Sequence, residues 1–121
     1  MSKVFTDVQM FMLASGQTIN TNNQKQSELY KKLIEEEYWE FLTAYNVKDD
    51  VETLDACFDM IWVIVGYMLS KGYDVESIWD EGAKSNLAKI DPVTGKVNKR
   101  EDGKVLKPEG WKKPDFSKFI N

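Results

Sequence analysis

The stretch LYKKLIEEEYWEFLTA, residues 29–44, decides how this chain is read. It is helical in pattern, yet acids stand where apolar residues belong. On an ideal helical wheel with Leu33 at zero, Glu37 falls at about 40°, Glu40 at about −20° and Ala44 at about 20°, with Leu29 and Phe41 flanking. Glu36 lies at the edge of that stripe, and only Glu35 points clearly to the far side. A buried carboxylate is costly unless it is paired or coordinates a cation. Acids on a core-facing stripe therefore call for a partner, and a metal is the first candidate.

A second acidic face follows one helix later, in VETLDACFDMIWVIVGYML, residues 51–69. With Asp59 at zero, Glu52, Asp55, Val63 and Gly66 all lie within about 40° of it. The stripe begins acidic and turns apolar. Two neighbouring helices can thus bring Glu36, Glu37 and Glu40 towards Glu52, Asp55 and Asp59. Such oxygen-rich clusters suit hard cations, Mg²⁺ first and Mn²⁺ as the alternative. The competing reading is a solvated acidic face. Against it stand Leu33, Ala44, Val63 and Gly66, which share the stripes with the acids.

Composition narrows the classes. A chain of 121 residues suggests one domain, 1–121, with a helical body over about 4–90 and a basic extended tail over about 91–121. Net charge is −4, but residues 1–88 carry −8 and residues 89–121 carry +4. An acidic body with a basic tail suits a cation site and a polyanionic small ligand; it argues against binding a nucleic acid polymer. There is no histidine, which excludes Ser-His-Asp and Cys-His catalysis and disfavours a catalytic zinc. The single cysteine, Cys57, allows no internal disulfide and fits a reduced, cytoplasmic setting. No signal peptide is expected at the N-terminus. The apolar run 60–69 is short of the ~20 residues a membrane span needs.

The pattern predicts about four antiparallel helices. The first starts near Thr6 or Asp7 and runs to Ser15. The second is capped by Ser27 and reaches Tyr45 or Asn46. The third runs from about Val51 to Ser70 and is closed by Lys71-Gly72. The fourth is capped by Asp74 and ends near Lys89. Short connections favour antiparallel neighbours in an all-α bundle. Beyond Asp91-Pro92 the helical period stops, and KVNKREDGKVLK, residues 96–107, reads as a small hairpin in an otherwise irregular tail. Residues 60–65 are apolar all round, more than so small a bundle covers alone, so a homo-oligomer is expected, a dimer above all.

LIEEEYWEF (33–41) followed by ETLDACFDMIWVIVGYMLSKGYD (52–74) resembles the MazG-like and phosphoribosyl-ATP pyrophosphohydrolase-like all-α nucleotide pyrophosphohydrolases. FMLASGQTIN (11–20), DEGAKSNLAK (80–89) and EDGKVLKPEGWKKPDF (101–116) are similar to the short, single-domain branch, many of whose members are phage-encoded. The resemblance implies a homodimer or homotetramer that uses Mg²⁺ to split a nucleoside triphosphate at the α–β bond into monophosphate and pyrophosphate. The family's EExxE matches Glu36, Glu37 and Glu40. Its ExxD matches Asp59, but the Glu three residues earlier is here Ala56; Asp55, on nearly the same face, or Glu52, a turn further back, could substitute. A second departure is Ala83, where relatives often carry histidine.

On that basis Glu37, Glu40 and Asp59 are candidate metal ligands, with Asp55 or Glu52 completing the set. Glu36 leads as the acid that orients or deprotonates water, with Glu37 the other catalytic candidate. Lys84, Asn86, Lys89 and Lys104 are candidate phosphate or sugar contacts; for the lysines, a favourable helix end or a solvated tail is the plain alternative. Gln17 as a base contact is implied by the resemblance alone. The competing function is a non-catalytic helical module that binds nucleotides or a protein.

Overall fold

A computed structural model describes residues 2–120. The architecture is all-α, as expected: α1 (Lys3–Ala14), α2 (Gln24–Asn46), α3 (Asp50–Ser70) and α4 (Val75–Leu87), followed by a 3₁₀ turn at Ser117–Phe119. Among the described residues, β structure is limited to the isolated antiparallel bridges Ile90–Val97 and Lys99–Val105. The expected hairpin in the tail is thus reduced to a narrow ladder closed by Arg100 N–H to Lys104 O and Leu106 N–H to Asn98 O.

Two compact units are present, residues 1–75 and residues 76–121. In the first, α1 and α2 both pack on α3. The core joins Phe5, Val8 and Met12 of α1, Tyr30 of α2, and Val63, Val65 and Leu69 of α3, with Val75 beside them. Helices α2 and α3 run antiparallel: Asn23 meets Ser70, Tyr30 meets Gly66, and Glu37 meets Asp59. In the second unit the tail is fastened to α4. The Trp111 indole donates to Ser85 O at 2.8 Å, and Ser85 Oγ donates to Lys112 O at 3.1 Å. Glu81 accepts from the Asp115 amide and from Lys118.

Three helix boundaries differ from the sequence expectation. Asn23, not Ser27, caps α2: its side chain accepts from Gln26 N–H at 3.0 Å. Ser27 sits one turn inside, buried, and turns its hydroxyl back to Gln24 O. Helix α1 begins at Lys3, so Thr6 is an interior residue donating to Ser2 O rather than a cap. Helix α4 ends at Leu87, two residues before Lys89. The Lys71-Gly72 closure stands, with Gly72 at φ +76°, a conformation that glycine adopts without cost.

Taken whole, α3 is 21 residues long and apolar enough to cross a membrane by length and composition. That exceeds the ten-residue apolar run of the sequence pattern. Its buried face is committed to the core of the first unit, and it carries Asp55 and Asp59 within its span.

Candidate metal and nucleotide site

Seven residues separate Tyr30 from Glu37, and seven separate Asp59 from Gly66. Each pair therefore shares a helix face. One end of the α2–α3 seam is filled by the Tyr30 ring against Gly66; the other is filled by acids. There the ligand oxygens of Glu37, Glu40 and Asp59 all lie within 4.8 Å of one another. Glu37 and Asp59 are half-buried, while Glu40 reaches solvent.

Gathering three carboxylates without a cation is unfavourable, because each charge raises the cost of ionising its neighbours. Burial, the Glu40 carboxylate beside it and the charges of Asp59 and Asp55 push Glu37 from its ordinary 4.5 up to about 7. Asp59 is also raised, first by burial and then by Asp55 and Glu40. Glu37 Oε2 is buried and, among the described residues, has no hydrogen-bond partner. A buried, unpartnered carboxylate oxygen costs free energy unless something positive meets it. An all-oxygen donor set with such an orphan fits a hard divalent cation of the Mg²⁺ type.

Of the other acids named from sequence, Asp55 is drawn into this group. It is exposed, yet close enough to raise both Glu37 and Asp59. Glu52 is exposed in the first turn of α3, just after the Asp49 cap. Glu36 is exposed and lies outside the three-carboxylate cluster. Ala56, the position where the resemblance calls for Glu, is buried at 2 % exposure. The antiparallel register of the seam sets it opposite Glu40.

Gln17 lies in the loop between α1 and α2, where its Oε1 accepts from the Tyr30 hydroxyl at 2.7 Å. Lys84, Asn86, Lys89 and Lys104 all belong to the second unit. Lys89 donates to Asn86 Oδ1 at 3.1 Å and sits 5.0 Å from the centre of the Trp111 ring, with Lys107 at 4.8 Å from it. Such ammonium–indole contacts orient lysines on the ring. Lys84 lines a cleft of about 540 Å³ together with Ser85, Pro108, Trp111 and Lys112. Lys104 is exposed in the tail ladder.

Sequence reasoning passed over Tyr30, Gln26 and Ser70, which fix the loop carrying Gln17. Gly66 was the available signal. A mid-helix glycine costs about 1 kcal/mol relative to alanine, so its presence on the acidic stripe asks for a close neighbour. That neighbour is Tyr30.

Two packed helices of an all-α fold thus bring three carboxylates together in an arrangement that suits a hard divalent cation. Comparison with protein families agrees: the phosphoribosyl-ATP pyrophosphohydrolase model matches residues 13–86. The chain belongs to that family, the MazG-like all-α nucleotide pyrophosphohydrolases. No curated protein matches it. The matched span takes in the carboxylates of α2 and α3, the loop with Gln17, and Lys84 and Asn86 of α4. The family's chemistry is nucleotide pyrophosphohydrolysis, generally metal-dependent, and its members are soluble cytoplasmic enzymes.

Proposed function

We propose that this protein hydrolyses nucleoside triphosphates at the α–β phosphoanhydride in a Mg²⁺-dependent reaction, releasing a nucleoside monophosphate and pyrophosphate. The observation that carries this reading is the convergence of Glu37, Glu40 and Asp59 around the orphaned Glu37 Oε2. Glu37, Glu40 and Asp59 would hold the ion. Asp55 is the fourth acid of choice, because its charge already raises both Glu37 and Asp59. A bound Mg²⁺ would supply positive charge that offsets the charge of the triphosphate.

The chain's own groups do the rest. With Glu37 committed to the ion, Glu36, next in sequence and exposed to solvent, is the acid assigned to orient or deprotonate the attacking water. Lys84, Asn86, Lys89 and Lys104 are assigned to phosphate and sugar, and Gln17 to the base. Alignment and charge neutralisation are the main demands of such a transfer, and carboxylates set on two packed helices supply rigid alignment.

A homodimer or homotetramer belongs to the same reading. Leu54, Phe58, Ile61 and Ile64 of α3 are exposed, as is Phe11 of α1, whose ring meets Trp62 edge-on at 5.6 Å. Val65, by contrast, is a core residue of the single chain. Light scattering tests this part: an assembly larger than a monomer is expected at micromolar concentration, and Ile61→Glu should dissociate it.

Incubation with a panel of nucleoside triphosphates and Mg²⁺, followed by product analysis, tests the reaction. Pyrophosphate with monophosphate is expected. Orthophosphate would place the cleaved bond elsewhere. Tight nucleotide binding with no turnover would favour a non-catalytic binding module.

A further inference from the structure

Two lysines of the second unit are gathered on one indole. Lys89 Nζ stands 5.0 Å from the centre of the Trp111 ring, and Lys107 Nζ stands 4.8 Å from it. Among the described residues neither ammonium has a carboxylate partner. The indole attracts each by about 0.5–1 kcal/mol at an exposed site, but it carries no net charge that would neutralise them. Two like charges are thus held at one ring with nothing negative between them.

The ring itself is fixed. Its Nε1–H donates to Ser85 O at 2.8 Å, and the Trp111 backbone N–H donates to Pro108 O at 3.1 Å. Ser85, buried in α4, also donates from Oγ to Lys112 O at 3.1 Å. The tail is therefore tied down on either side of the ring. Lys89 donates to Asn86 Oδ1 at 3.1 Å, which leaves the Asn86 carboxamide with its Nδ2 donor. Nδ2 and the two ammoniums can only donate. A doubly positive set of donors with no acceptor matches a ligand that only accepts and is anionic, and phosphoryl oxygens are that chemistry. Trp111 is also one wall of the cleft of about 540 Å³, which Lys84 lines too, so a chain of phosphates has room beside the pair. Of the acids in that cleft, Glu81 and Asp115 already accept protein donors, and Glu109 has none among the described residues.

We propose that Lys89 and Lys107, held on Trp111, form one polyphosphate-binding site, in which Lys107 contacts phosphate directly and Trp111 is the positioning residue that makes the two lysines act together. Lys107 and Trp111 lie beyond residues 13–86, the span shared with the family, so the tail supplies part of this site on its own account. The proposal deepens the nucleotide reading above and rests on it only for the source of the phosphates.

The test is calorimetric titration of the full chain with inorganic tripolyphosphate in the presence of a chelator. Without Mg²⁺ the cluster of Glu37, Glu40 and Asp59 repels anions, so the binding measured belongs to the lysines. Wild type should bind, with an affinity that falls as salt rises. Lys107→Gln should weaken Kd by about tenfold, and Lys107→Arg should retain most of the affinity. Trp111→Leu leaves both lysines in place and should weaken Kd by about fivefold; Trp111→Phe, which keeps an aromatic face, should lose less. Lys99→Gln removes the same charge elsewhere in the tail and should leave Kd near wild type. Thermal melts establish that each variant is folded. Three results would overturn the proposal: no metal-free binding by wild type, equal losses from Lys99→Gln and Lys107→Gln, or an unchanged Kd in folded Trp111→Leu. If Trp111→Leu fails to fold, Trp111→Phe and the contrast between Lys107→Gln and Lys99→Gln still decide. Hydrolysis does not enter the measurement, so a protein that turns over no nucleotide would sink the pyrophosphohydrolase reading and leave this site to stand or fall on the Kd values.

Discussion

The two ends of the α2–α3 seam are built from opposite materials. At one end Tyr30 and Gly66 interlock, Ser70 and Gln26 satisfy each other, and the contact is apolar or fully hydrogen-bonded. At the other, Glu37, Glu40 and Asp59 crowd together with an oxygen left unpaired. The first end stabilises the helix pair; the second destabilises it until a cation arrives. Antiparallel packing makes this division workable, because close contact at Gly66 holds the helices at a spacing that keeps the acids together two turns away. Strain of this kind belongs where chemistry is done, and the surrounding fold offsets it.

Neutralising the acidic end is the most drastic way to break the contrast. Glu40→Gln and Asp59→Asn should each abolish Mg²⁺-dependent turnover, since an amide is a poor ligand for a hard cation. Both should leave the metal-free fold at least as stable as wild type, because a like-charge repulsion is removed. Turnover assays and thermal melts check the two halves separately. A variant that keeps near-normal rates, or that melts well below wild type without metal, would contradict the division.

Damage to the packed end should act the other way. Gly66→Ala puts a methyl group into the Tyr30 ring and should destabilise the protein by about 1–3 kcal/mol in denaturant titration. Activity should fall with it, because the spacing that gathers the acids is disturbed.

Titration sharpens the comparison. The folded pKa of Glu37, about 7, lies above its ordinary 4.5, and that of Asp59 is raised in the same direction. Groups shifted upwards in the folded state contribute stability that is present at acid pH and lost as pH rises through the folded pKa. The metal-free protein should therefore lose melting temperature as pH climbs from about 4.5 to about 7, and level off above that. Mg²⁺ should restore it, most strongly above that pH. A melting temperature that is flat with pH and indifferent to Mg²⁺ would remove the acidic end from the account.

The smallest expected effects separate the two candidates for the fourth acid. Asp55→Ala should impair Mg²⁺-dependent turnover clearly, and Glu52→Ala only mildly. Asp55 acts on Glu37 and Asp59, whereas Glu52 stands in the exposed first turn of α3, where an acid is favourable for the helix itself. Apparent Mg²⁺ affinity from the dependence of rate on metal concentration is the measurement. The reverse ranking would reassign the ligand to Glu52.

The acidic end is legible in the sequence because a helix repeats every 3.6 residues, which alone places Glu37 and Glu40 on one face with Leu33 and Ala44. The same arithmetic puts Asp55 and Asp59 together and marks Gly66 as their neighbour in projection. What periodicity does not carry is which residue of α2 enters the gap at Gly66, since that depends on the register between two helices. Tyr30 is therefore invisible to it, and with Tyr30 the anchoring of Gln17. The cap of α2 is misplaced for a local reason. Ser27 and Asn23 are both good N-cap residues four positions apart, and the Asn23 side chain, accepting from Gln26 N–H, starts α2 a turn earlier. In the tail, the turn residues are visible but the extent of pairing is not, because isolated bridges leave no alternation to read.

Pyrophosphate release from nucleoside triphosphates, measured for wild type with and without Mg²⁺ and for Asp59→Asn with Mg²⁺, tests the central claim most directly. Stoichiometric pyrophosphate and monophosphate from wild type only with Mg²⁺, and neither from a folded Asp59→Asn, is the predicted result. Equal pyrophosphate release without a divalent ion, or undiminished release by Asp59→Asn, would contradict it.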